Sequence, residues 1–550
     1  MMRRIMPAVA LLALSCAAPA TTLDPAGEAL RRAVEALAEE PAIRDEGVTD
    51  FRLISNFYSG RDFRPAWTDP RRIDVLMSLL RDADLEGLRP EDYHLRRLES
   101  LLALPADGHG QAERLAERDI LLTDALARYA FHLRFGKVDP SQLDAAWNLS
   151  RQLGDISPVE FLADTVAAPD LRAAVQPDYF SGPAYAAYRQ TLADYRRVRD
   201  AGGWPAIPDG PTLKPGMEDA RVPDLRRYLA ATGDLRDGDL PAANEPARYD
   251  AATEAAVRRF QARHALDVDG AVGRDTLAAM NTPVQARIDQ LRVNMERLRW
   301  VFRDLEDDFL IVNIAGFKAL LVEDGQIAWT TRVVVGRPYR QTPVFQSTMT
   351  YLVFNPTWTV PPTILRKDVL PRVRADIGYL ANQHMEVIDS TGRPVDPATV
   401  DWSGGSIPYQ IRQKPGPWNS MGLVKFMFPN EHFVFLHDTP NKELFGKADR
   451  TFSSGCIRTE RPLELAERLL AGQEDWNADS IRALVASGET KTVVLERPLT
   501  VMLMYWTVGF DANWQPVFYR DVYDRDGRVL EALDAPFRFR PPEGYEDAVR

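Results

Sequence analysis

The residue best suited to covalent chemistry is Cys456, which sits in the run Phe452-Ser453-Ser454-Gly455-Cys456-Ile457-Arg458. The 550-residue sequence has only 2 cysteines, and the other, Cys16, falls in a segment with the look of an export signal. The exported chain then keeps one thiol with no disulfide partner. A cysteine attacks as its thiolate, which backbone amides and a nearby imidazole favour. The candidate imidazole is His437, at the end of Glu431-His432-Phe433-Val434-Phe435-Leu436-His437. Read as a β-strand, this run sets His437 on one face with Phe433 and Phe435 and turns His432 to the other. Gly455 has no side chain to obstruct a substrate carbonyl, and the amides of Gly455 and Cys456 are candidates for an oxyanion hole. The chemistry expected is acyl transfer by a Cys/His pair. Taken singly, a structural cysteine and a satisfied histidine are the ordinary readings, and only the combination favours chemistry. A metal site is disfavoured by the lack of a second cysteine and of H-E-x-x-H, with His432 facing away. Ser453 or Ser454 as nucleophile lacks the G-x-S-x-G elbow. No cofactor motif is present.

The elements that position these residues belong to a multidomain α+β chain. At about 150 residues per domain the length predicts three or four domains. With 67 basic against 79 acidic side chains and a net charge of −12, a nucleic-acid partner is not expected. Residues 1–20 combine Arg3 and Arg4, an apolar run from Ile5 to Ala17 and Ala18-Pro19-Ala20, the pattern of a signal peptide. Cleavage and export to a periplasm are expected, with an uncleaved short anchor, lipidation at Cys16 and an ordinary buried helix as the alternatives. Residues 26–205 read as a helical scaffold, with Leu126, Tyr129 and Leu133 at helical spacing. Breakers from Gly202 to Gly216 end it. Residues 217–282 form a small three-helix module in which Val257, Phe260 and His264 share a face and Leu266 to Gly273 make a tight turn. After a linking helix to about Phe302, residues 305–500 read as a mostly antiparallel β domain. Its irregular stretch 379–419 is either a cap over a groove or a rigid surface insertion. Thr492–Leu495 and Val501–Tyr505 are two closing strands, and 501–550 is an unassigned C-terminal extension.

His437-Asp438-Thr439-Pro440 followed by Ser453-Ser454-Gly455-Cys456-Ile457-Arg458 resembles the signature of L,D-transpeptidases with the YkuD catalytic domain. Asn419 to Asn430, Asn355 to Pro362 and the order of parts resemble the large YcbB-type branch. The turn Leu266 to Gly273 after Phe260-Gln261 resembles that of peptidoglycan-binding domains, with a non-binding helical spacer as the alternative. The resemblance implies Cys456 as nucleophile, His437 as proton donor and acceptor, and the Asp438 backbone carbonyl as the group that orients it. It implies Arg458, Ser454, Asn419 and Trp358 around the substrate, with Ser454 standing where many members have His. A cation such as Arg458 or Lys425 is needed for a donor carboxylate. The reaction implied releases D-Ala from a tetrapeptide stem and joins the acyl group to a second stem as a 3→3 cross-link. No cofactor or metal is implied. Peptidoglycan stem peptides are the expected partners, synthases are candidate ones, and a monomer is expected. Hydrolysis of the same thioester and a catalytically dead wall-binding scaffold are the competing readings.

Overall fold

The computed structural model describes residues 23–105, 110–149, 151–177, 180, 182–236, 247–404 and 406–550. The expected signal at 1–20, with Cys16, lies outside the described residues. Among them, no helix is long and apolar enough to cross a membrane.

The scaffold forms around the helix Gln111–Phe135, which is buried on most of its circumference by Pro25–Ala36, Phe51–Ser59, Pro70–Arg81 and shorter helices. Burial on that scale needs its polar groups answered. Asp119 accepts from the amides of Ala66 and Trp67 at 2.8 and 2.9 Å and from the Tyr58 hydroxyl at 2.8 Å. The helix Pro183–Asp200 departs from the expected 26–205 unit. Its Tyr185, Tyr188 and Leu192 join the core of the β domain beside the linking helix Val284–Val301. Helical spacing fixes an apolar face but not which core receives it.

The small module has the expected three helices, Val222–Ala231, Ala251–Arg263 and Arg274–Met280, and its own core around Phe260. Gln261 pins the tight turn. Its side chain accepts from the Gly270 amide at 2.8 Å and donates to Asp269 at 2.8 Å and to the Ala271 carbonyl at 2.9 Å.

The β domain is one nine-stranded, mostly antiparallel sheet. Its strands run in the order 451–453, 326–336, 457–459, 436–437, 424–427, 345–354, 491–504, 309–313, 318–323, and the last also pairs with 326–336, so the ladder closes on itself. Three pairings are parallel, among them 436–437 with 457–459. Three expectations change. The run 431–437 is strand only at Leu436–His437, because Phe433 takes φ 54° and breaks the alternation, leaving its ring exposed. The insertion expected at 379–419 begins earlier, at Trp358. It is a folded unit with a four-stranded sheet and a core of Val360, Val369, Val373, Leu380, Val387 and Ile411. The two-residue strand Trp358–Thr359 that opens it is too short to read from periodicity. Finally, Lys491–Met504 is a single strand whose register shifts between Val494 and Leu499, so the boundary at 500/501 cuts through it. Beyond it, the extension lays Tyr545 and Val549 against Phe135 and Leu153 of the scaffold.

Candidate active site

Cys456 lies in the turn between the strands Thr451–Ser453 and Ile457–Thr459. Gly455, with φ +118°, makes the reversal in a conformation that a side-chain-bearing residue rarely adopts. Ser453 closes the turn from inside, accepting from the Gly455 amide at 3.1 Å and donating to the Cys456 carbonyl at 2.5 Å. This corrects one expectation. The Gly455 amide is already engaged, whereas the Cys456 amide has no hydrogen-bond partner among the described residues and is the donor left for an oxyanion.

His437 sits one strand away. Its cross-strand partners are Lys425 on one side and Arg458 on the other, so the three side chains form a row on one face of the sheet. The imidazole is buried, and its Nδ1 lies 2.5 Å from the Asp438 carbonyl, which fixes Nδ1 as the protonated nitrogen and leaves Nε2 as the basic one. Asp438 is held in turn. Its amide donates to the Val424 carbonyl at 2.9 Å, and its carboxylate accepts from the Leu423 amide at 2.9 Å and from Lys442 at 2.5 Å. Gly422, at φ +60°, makes this possible, since a Cβ there would stand 2.4 Å from the Asp438 side chain.

Cys456 is half-buried, with part of its surface open to solvent. Its Sγ donates to the Phe433 carbonyl at 3.8 Å, so thiol and imidazole are not hydrogen-bonded to each other. Burial pushes the thiol above its ordinary range, opposed by the Phe435 amide, Lys425 and Arg458. Burial, then Arg458 and Lys425, bring His437 down to about 3. Burial thus disfavours both the thiolate and the imidazolium in the free protein. Burial also lowers Lys425 and Arg458, and the buried Nε of Arg458 has no hydrogen-bond partner. Lys425 Nζ lies 4.0 Å from the centre of the Phe435 ring.

The remaining expected residues divide. Ser454 is exposed, and its hydroxyl meets Arg340 at 2.9 Å, which also pairs with Asp368 of the insertion at 2.9 Å. Asn419 is fully buried, with its amide spent on the Lys414 carbonyl at 2.9 Å and the Met421 amide at 2.7 Å. It therefore shapes the turn that ends the insertion and does not face a ligand. Trp358 packs half-buried against the insertion core. Sequence reasoning gave no role to Gly422, Lys442 or Arg340, because Gly422 and Lys442 meet Asp438, and Arg340 meets Ser454, only through the fold. Among the described residues, no group of three His, Cys, Asp or Glu side chains is arranged to hold a metal.

These features define a multidomain α+β protein whose β domain presents a cysteine turn beside a histidine strand under a folded insertion. Residues 307–493 match the family model for the L,D-transpeptidase catalytic domain of the YkuD type. Residues 218–280 match a provisionally described peptidoglycan binding domain, and 52–192 a scaffold domain. A curated protein of Haemophilus influenzae, whose name gives L,D-transpeptidase as a provisional assignment, is 34% identical over 251 residues, 45% of this chain and 50% of its own length. The chain thus spans about half the length of that relative. An L,D-transpeptidase structure from Xylanimonas cellulosilytica is 15% identical, covering 54% of this chain and 99% of its own, with a TM-score of 0.17, too low for a fold comparison. The chain carries an L,D-transpeptidase catalytic domain together with a peptidoglycan-binding domain.

Proposed function

We propose that the protein is a cysteine-dependent L,D-transpeptidase that forms 3→3 cross-links in peptidoglycan, within the cell-wall compartment, and that it belongs to the YcbB-type branch. The observation that carries this reading is the row Lys425, His437 and Arg458 beside a cysteine whose own amide is unengaged. As the thiol attacks the carbonyl between the third stem residue and D-Ala, its proton passes to His437 Nε2. The Cys456 amide receives the oxyanion, and Lys425 and Arg458 favour the sulfur while it carries charge. The imidazolium then protonates the amine of D-Ala, the C–N bond breaks and a thioester remains. The side-chain amine of a second stem attacks that thioester and gives its proton to His437. The thiolate leaves and is reprotonated, closing the cycle without net change in the protein. Arg458, with its unpartnered Nε, is the candidate receptor for the donor carboxylate.

The test is donor turnover and carbapenem labelling of Cys456. Wild type forms a covalent adduct at Cys456, and His437→Ala loses it. Arg458→Ala raises KM for the donor, and unchanged turnover in that variant removes Arg458 from the role. A Cys456 that stays inert to carbapenem and to tetrapeptide would favour the wall-binding scaffold reading.

A further inference from the structure

We infer that Tyr523, from the C-terminal extension, is a positioning residue for the nucleophile turn, acting through Thr342 on the Gly455–Cys456 peptide. The inference rests on reading Cys456 as an acyl acceptor. The Tyr523 hydroxyl donates to the carbonyl of Gly336, at the end of the strand 326–336, at 2.6 Å and accepts from the amide of the buried Thr342, in the loop that follows, at 3.2 Å. Thr342 Oγ1 accepts from the Gly336 amide at 2.9 Å and donates to the Gly455 carbonyl at 2.8 Å. A trans peptide is planar, with its carbonyl and the next amide pointing in opposite directions. Holding the Gly455 carbonyl therefore aims the Cys456 N–H, which has no hydrogen-bond partner among the described residues and is free to meet an oxyanion.

Tyr523 is itself fixed. Its amide donates to the Tyr505 hydroxyl at 2.8 Å, which donates to Asp521 at 2.5 Å. Arg525, two residues on, spans from Asp144 of the scaffold at 2.8 Å to Gln341 of the same loop at 2.9 Å. The scaffold and the extension thus converge on one carbonyl behind the nucleophile.

Oxyanion positioning has a signature that general disruption lacks. Acylation of the thiol builds an oxyanion, whereas alkylation by iodoacetamide builds none. The experiment measures both reactions at Cys456 in the full chain, with p-nitrophenyl acetate as acyl donor and adducts mapped by mass spectrometry. Tyr523→Phe and Thr342→Val are expected to slow acylation about tenfold or more, within the range for a compromised oxyanion donor, while alkylation stays within about twofold. Thr342→Ser, which keeps the hydroxyl, retains the wild-type acylation rate. The double variant loses no more than either single one, because the two act as a unit. Acylation at the wild-type rate in either variant, or an equal fall in both reactions, overturns the inference. Because the ester is not a peptidoglycan fragment, failure of wild type to turn over stem peptides would sink the proposed function and leave this result standing.

Discussion

His437 is buried and Cys456 half-buried, and burial disfavours the charged form of each. The pH profile of Cys456 alkylation should accordingly have its midpoint above the ordinary thiol range, because burial raises it. Lys425→Ala or Arg458→Ala should move it higher still, since each removes a cation that favours the thiolate. A midpoint near neutrality would instead reveal a preformed ion pair. A second prediction concerns Gly422→Ala, whose new Cβ would lie 2.4 Å from Asp438 in a positive-φ position. Displacing Asp438 moves the carbonyl that orients His437, so acylation should fall at least about tenfold, as small misplacements of catalytic groups do. Acylation at the wild-type rate would show that the carbonyl is not the orienting group. At this scale the sequence was informative where residue type is decisive. A lone cysteine after a glycine, and a histidine before an aspartate, name themselves. It was silent where a side-chain rotamer decides, as with Ser453, which takes the Gly455 amide from the oxyanion role.

The insertion and the nucleophile turn touch through Arg340, which holds Ser454 on one side and Asp368 on the other. Asp368 is about half exposed, so the pair contributes roughly 0–1 kcal/mol to stability. Asp368→Ala should therefore leave the thermal midpoint nearly unchanged while raising the alkylation rate of Cys456, as the insertion loosens over the turn. An unchanged alkylation rate would make the contact incidental. The strands of the main sheet were legible because β-branched runs between Gly, Asp and Pro have few other fates. The insertion was legible only in part. Its Gly and Pro residues mark irregular chain, but its small core draws on Val360, Val369 and Val387, which no single periodic stretch displays. The strand 491–504 was split in two for a related reason, because Arg497-Pro498 interrupts the pattern while the ladder resumes after a register shift.

Across the whole molecule, burial holds His132 of the scaffold and His264 of the small module well below the usual imidazole range, as it holds His437 at about 3. In the unfolded chain these groups take up protons near pH 6.5, and in the folded chain only far lower. Between pH 6.5 and about 3 the unfolded state binds more protons, so stability falls as the pH falls through that window. His94 works the other way. Burial opposes its charge, but Asp124 and Glu46 outweigh that and raise it, so its contribution is present below 6.5 and lost on going above its folded value. The buried carboxyls of Glu86, Asp119 and Asp526, raised by burial, act in the same direction as His94. The histidine contribution is isolated by His264→Phe, whose thermal midpoint should fall less, or rise more, between pH 7 and pH 5 than that of wild type, and an identical pH dependence in the two would contradict it. The docking of domains was the least legible level, since the C-terminal extension meets both the scaffold and the nucleophile loop through side chains hundreds of residues apart in sequence. The proposed function meets its most direct test in mass spectrometry of the products formed from disaccharide-tetrapeptide. The account predicts 3→3-linked dimers with release of D-Ala, both absent for Cys456→Ala, whereas disaccharide-tripeptide without dimers would contradict it.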